Sequence, residues 1–228
     1  MKDSKKYLIS GIILVVIAII YTILVKTVDV GAIGPINPET GEATSVGFQA
    51  INGFFMNLLE PSKLFYKISK YAGLLPFLLA GFYAYTGCSQ LVKGKSLKKV
   101  DNKIIAIGAF YVVVLIVYIF FEKVVINYRP VIMDAELEAS YPSSHTLLAI
   151  CFCGSSLLIS KFFIKKDLVR RIVNIATVCL MILIVVSRFI SGVHWASDIV
   201  GGIIISLALL NIFYMVILKL DEKKKKRS

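Results

Sequence analysis

"SYPSSHTLLAICFCGSSLLIS", residues 140–160, joins a polar lip to an apolar run. A proline, several hydroxyls and His145, one of only two histidines in the chain, stand before a stretch that approaches the ~20 apolar residues needed to cross a bilayer. Two questions follow from it: whether the chain is built for a membrane, and where the second histidine lies.

Composition answers the first. Of 228 residues, 57% are hydrophobic, and the mean hydropathy is +0.81. Six stretches, roughly 7–25, 71–90, 104–121, 146–164, 172–190 and 199–218, have the length and freedom from charge of membrane-spanning helices. The expectation is an all-α, polytopic membrane protein with six transmembrane helices in a single domain over residues 1–228. "MKDSKK" resembles the basic start of a signal peptide, yet the apolar run after it is long and no small-x-small cleavage site follows, so it reads as a retained anchor.

Lysine and arginine set the orientation, because basic residues collect in short cytoplasmic loops. With both termini inside, Lys2, Lys5, Lys6, the "KGKSLKK" and "KKDLVRR" loops and the "DEKKKKRS" tail are cytoplasmic, which puts 19 of 26 basic residues inside and 9 of 14 acids outside. Such placement accounts for the net charge of +12 without a nucleic-acid partner. Cys88, Cys151, Cys153 and Cys179 fall in the expected helices, and "CFC" lacks Cys-x-x-Cys spacing, so they read as packing thiols. The long outer segment, about 26–62, begins as Gly/Pro/Thr-rich loop. Its second half, "VGFQAINGFFMNLL", places Phe48, Ile51, Phe55 and Leu58 at helical spacing, as in an interfacial helix or a buried connecting one.

The second histidine lies in "SRFISGVHWASD", residues 187–198, with Ser187, Arg188, His194 and Asp198. "EKVVINYRP", residues 122–130, carries Lys123, Arg129 and Pro130. Tracing the topology brings these two clusters and His145 to one membrane face, at the ends of the third to sixth helices. Two arginines and a lysine suit phosphoryl oxygens, and the start of the fourth helix adds backbone N–H groups of Ser143, Ser144 and His145 with the positive end of its dipole. A neutral histidine is a nucleophile toward phosphorus, a carboxylate four residues after His194 suits holding its ring, and a second histidine can protonate a leaving oxygen.

"YRP", "YPSSHT" and "SRFISGVHWASD" resemble the three signature motifs of the type 2 phosphatidic acid phosphatase superfamily, related to vanadium haloperoxidases: Lys-x6-Arg-Pro, Pro-Ser-Gly-His and Ser-Arg-x5-His-x3-Asp. The resemblance implies a six-helix core and cofactor-free, metal-independent dephosphorylation of a lipid phosphate through a phosphohistidine. It implies His194 as nucleophile and Asp198 as its orienting partner. Arg129, Arg188, Ser143 and the backbone of Ser144 would form the phosphate cradle, and His145 would be the general acid. The third motif matches in full. Ser144 stands in place of the family glycine, and Glu122 stands where the family has lysine, with Lys123 one position late. Local unwinding of the third helix would let Lys123 serve as a phosphate ligand; otherwise Lys63, Lys67 and Lys70, on one face of "KLFYKISK", offer a substitute, or the family lysine has no replacement. Substrates that fit are an isoprenyl diphosphate, phosphatidylglycerol phosphate or phosphatidic acid. A protein of another class, one that binds or moves anionic lipids with a weakened site, fits the same motifs. Lipid is the expected partner throughout, and the sequence sets no oligomeric state.

Overall fold

A computed structural model describes residues 2–132 and 136–225. Eight α-helices are described: α1 (Lys2–Thr27), α2 (Gln49–Leu58), α3 (Lys63–Ala72), α4 (Pro76–Gly94), α5 (Asn102–Lys123), α6 (Ser144–Phe163), α7 (Asp167–Ile190) and α8 (Ala196–Lys225). Six spans are long and apolar enough to cross a membrane, with α3 and α4 counted together as Lys63–Gly94. They coincide with the six stretches expected, and the chain is a multi-pass membrane protein. The end of the basic tail, residues 226–228, lies outside the described residues.

Which helix sits at the centre follows from side-chain size. α6 carries Gly154 and the buried Ser155, Ser156 and Ser160, so neighbouring backbones approach closely, as small residues permit within bilayers. Two-thirds of its apolar window is buried, against about a fifth for α1, α5 and α7. A Cβ on Gly154 would meet Leu210 of α8 at 2.5 Å. The outer helices instead turn Ile12, Ile13, Ile116, Ile119, Ile175 and Ile182 outward. In water such a surface would be a liability, and against acyl chains it costs nothing. α1 packs along α8, where Tyr7 meets Tyr214 edge-on at 4.7 Å and Gly11 makes room for Ile212. Cys151 and Cys153 are buried as packing thiols, whereas Cys88 and Cys179 are exposed on their helices.

The second span differs from the expected single helix. Its N-terminal turns form a separate amphipathic helix, α3, started by Ser62, whose hydroxyl accepts from the Phe65 N–H. The chain breaks at Gly73, Leu74 and Leu75 before Pro76 opens α4, where a missing N–H costs nothing. The loop after α1 folds back as a narrow hairpin bridged at Gly31 to Val46 and Ile36 to Ala43. α2 is clamped to the start of α8 through buried Asn52. Its Nδ2 donates to Gly47 O and Ser197 Oγ, and its Oδ1 accepts from the Ser197 N–H. Ile51, Phe54 and Leu58 stay exposed, while Phe55 meets Phe189 edge-on.

Candidate active site

One end of the bundle gathers the C-termini of α5 and α7, the N-termini of α6 and α8, and the loop segments 124–132 and 136–143. The loop's register is fixed by a bridge from Tyr128 to Ala139, with Arg129 N–H donating to Glu138 O and Ser140 N–H to Asn127 O. Trp195 Nε1 donates to Tyr128 O at 2.7 Å, tying the loop to the α7–α8 turn. Tyr141 lies against Gly201, where a Cβ would come within 2.3 Å of its ring, and its hydroxyl meets Thr22 Oγ1 at 2.8 Å. Gly192, with φ +69, lets the chain turn back against Pro61 and aims His194 inward.

His194 is almost fully buried and Asp198 wholly so. Their separation, 3.7 Å from Nδ1 to Oδ2, is too long for a hydrogen bond. Ser140 fills the gap: its Oγ lies 3.0 Å from His194 Nδ1 and donates to Asp198 Oδ2. A hydroxyl has one proton to give. With that proton on Asp198, Ser140 accepts from Nδ1–H, and His194 Nε2 is left as the bare nitrogen. Asp198 is held in turn by the Trp195 N–H at 2.9 Å and Asn127 Nδ2 at 3.4 Å. The direct His–Asp contact expected from spacing is thus a three-residue relay, because the loop inserts a serine that the motif spacing does not reveal.

His194 is held well below the usual histidine range, first by burial, then by the charges of Arg188, Arg129 and His145, against an opposing hydrogen bond to the Ser140 backbone. It is therefore neutral at physiological pH. Among the described buried side chains, His194 Nε2, Arg188 Nε and Nη1, and Arg129 Nε have no partner. Buried guanidinium nitrogens without acceptors are costly, and an anionic ligand relieves the cost. Arg188 is buried, with the Tyr66 ring 5.6 Å from its guanidinium. Arg129 pairs with Glu138 at 2.9 Å through Nη2.

The start of α6 is arranged differently from expectation in one respect. Ser143 is the N-cap, but its N–H donates to the Asp198 carbonyl and its Oγ accepts from Thr146, so its own amide is committed. No side chain caps the helix, and Ser144 and His145 form its first turn. Ser144 takes ordinary helical geometry, so a Cβ in the family's glycine position is accommodated. His145 packs against Gly73 at the α3–α4 break, where a Cβ would fall 2.8 Å from His145 Cδ2.

Lys123 is not brought to the cluster. α5 stays helical through Lys123, which is exposed, and unwinds only from Val124. The unwinding comes too late to swing the lysine in. Glu122 instead lines the small cavity in front of His194, with Tyr118, Phe121 and Ser144.

The fold and this cluster define a membrane-embedded protein built around a paired-histidine, paired-arginine centre. A family model described as the PAP2 superfamily matches residues 50–222, and the chain belongs to that superfamily. No curated protein matches it. Among solved structures it is similar to the crystal structure of a transmembrane PAP2-type phosphatidylglycerolphosphate phosphatase from Bacillus subtilis, at 22% identity over 77% of this chain and 84% of that one, with a TM-score of 0.47.

Proposed function

We propose that this protein is a membrane lipid phosphatase working through a phosphohistidine at His194. The observation that carries the reading is the convergence of a bare His194 Nε2 with unpartnered nitrogens of Arg129 and Arg188 beside the uncapped start of α6. Nε2 attacks phosphorus, the P–O bond to the leaving group breaks, and His145 gives that oxygen a proton. Arg188, Arg129 and the Ser144 and His145 amides take the charge that builds on the phosphoryl oxygens, where preorganised donors act most strongly. Water then cleaves the phosphohistidine and releases inorganic phosphate.

Phosphate release from a panel of lipid phosphates, run with chelator present, tests the proposal. Release unaffected by chelator is the expected result. The Arg129–Glu138 pair and the presence of Glu122 favour a second reading, an anionic-lipid binding or transport protein with a weakened site. Saturable lipid binding without phosphate release would select it. Within the phosphatase reading, Lys123 is a surface cation, so Lys123→Ala is expected to cost less than about threefold in kcat/KM. Loss of a phosphate ligand would cost about 10²-fold or more.

The site faces the outer side in this proposal, with both termini cytoplasmic and α2 lying at the membrane interface. In a background with the four native cysteines replaced, a cysteine at Asn37 is expected to react with an impermeant thiol reagent in intact cells. One at Ser96 is not. The opposite labelling would put the site in the cytoplasm.

A further inference from the structure

At the end of the bundle opposite the catalytic cluster, a pocket of about 310 Å³ opens between the start of α5 and the last turns of α8. Lys98, Asp101 and Lys103 line it from one side, Lys223 and Lys224 from the other. The Asp101 carboxylate is committed to its own helix, since Oδ1 accepts the Lys103 N–H at 2.8 Å and so caps α5. Lys103 is buried, with Asp221 3.5 Å from its Nζ and the Phe162 ring centre 4.3 Å away. Topology alone asks for basic residues at these helix ends. It does not ask them to converge. Here lysines of two separate elements meet across one hollow, at the positive end of the α5 dipole, where like charges repel and an anion is favoured.

A second hollow adjoins the first. Val100 lines the basic pocket and also lines a groove of about 260 Å³ between α4 and α5. Leu91, Leu97, Ile104 and Ile107 make this groove apolar, and Gly108 leaves it open, because a Cβ there would meet nothing within 4 Å. Along α4 the groove runs from Leu91 to Ala80, a rise of about 17 Å. One leaflet's hydrocarbon is about 15 Å deep. The groove therefore spans the leaflet on the side of the two chain termini, and the lysine pocket lies at its headgroup end.

A basic pocket at headgroup depth, continuous with an apolar groove of leaflet length, matches the two halves of an anionic phospholipid. We infer that an anionic phospholipid of the leaflet on the side of the termini binds here, its phosphate among Lys98, Lys103 and Lys223 and one acyl chain along the α4–α5 groove. Free inorganic phosphate would meet the lysines and leave the groove unfilled. A zwitterionic lipid would fill the groove but bring a cation of its own to the lysines. The anionic lipid satisfies both halves, and in doing so it links the start of α5 to the end of α8 and fills the gap between α4 and α5. The site lies at the far end of the bundle from His194, and occupying it needs no turnover, so it holds whether or not the protein is a phosphatase.

Thermal stabilisation of the full-length, delipidated protein in detergent tests this, with phosphatidylglycerol, phosphatidylcholine of the same acyl chains and inorganic phosphate as the three probes. Phosphatidylglycerol is expected to raise Tm saturably, with an apparent Kd about tenfold below that of phosphatidylcholine, the scale of one charge-assisted contact. Lys98→Ala/Lys223→Ala should abolish that preference, and Lys98→Arg/Lys223→Arg should keep it. Lys103 is left in place because it also ties α5 to α8 through Asp221. Gly108→Leu, or Ala84→Leu from the opposite wall, fills the groove and should weaken both lipids about tenfold. Arg129→Ala, at the catalytic end, should change the phosphatidylglycerol response by less than about twofold, which separates this site from the phosphate cradle. Inorganic phosphate should act equally on the wild type and on Lys98→Ala/Lys223→Ala. Equal stabilisation of the wild type by the two lipids, or a preference that survives Lys98→Ala/Lys223→Ala, would overturn the inference. So would a response to phosphatidylglycerol that both groove-filling variants leave intact, and loss of the inorganic phosphate response in the lysine variant alongside it would reduce the pocket to a site for free anions.

Discussion

Replacing His194 with alanine is expected to remove turnover on every phosphate ester, by at least about 10⁴-fold, and to leave no phosphorylated protein on rapid quench into alkali, which preserves the acid-labile P–N bond that the wild type would show. Apart from the two guanidinium groups, no other described side chain presents a buried nitrogen without a partner. His145→Ala should behave differently. A general acid contributes about 10²- to 10⁴-fold for a poor leaving group and little for a good one, so an aryl phosphate should recover most of the lost rate in the first step. Matching losses on alkyl and aryl phosphates would remove His145 from that role. A phosphorylated species trapped in His194→Ala would place the nucleophile elsewhere. Gly73 extends the same argument, since His145 occupies the space a Cβ there would take.

The spans were legible because a bilayer demands about 20 apolar residues and nothing in the loops imitates that. Hydropathy alone did not show that α6 is the buried centre, since its Ser155, Ser156 and Ser160 lower the apolar score of the helix that is most enclosed. The α3–α4 break had a signal in the sequence: "KLFYKISK" is amphipathic and "YAGLLP" ends it with glycine and proline. Motif spacing placed His145, His194, Asp198, Arg129 and Arg188 at one end because each lies at a helix terminus or on the connection just beyond one. It left Ser140 and Asn127 unassigned. Both reach Asp198 through the fold of the loop segments 124–132 and 136–143, a register set by long-range bonds such as Trp195 to Tyr128 that no local pattern encodes. The hydroxyl-rich lip of α6 was the available hint, and of its serines only Ser143 fitted the family pattern. For Lys123, the deciding fact is where α5 stops, and helix ends are the least predictable part of any helix.

Ser140 offers the sharper test of how the site works. If it passes the hold of Asp198 to His194, Ser140→Ala should lower kcat by about 10- to 100-fold with little change in KM, the range found when a group behind a reactive ligand is removed. Asp198→Ala should cost about 10³- to 10⁴-fold, as loss of the orienting carboxylate does elsewhere. The double variant decides between a relay and two separate supports. In a relay, removing Ser140 after Asp198 takes away nothing further, so Ser140→Ala/Asp198→Ala should match Asp198→Ala alone, giving a coupling free energy near the whole Ser140 effect. Ser140→Thr keeps the hydroxyl and should restore most of kcat. A structural role in the loop gives a different pattern, because the Ser140 N–H to Asn127 O bond survives in every variant. Additive losses, with no rescue by threonine, would show that the hydroxyl only packs the loop, and would require His194 and Asp198 to close their 3.7 Å gap directly when substrate binds.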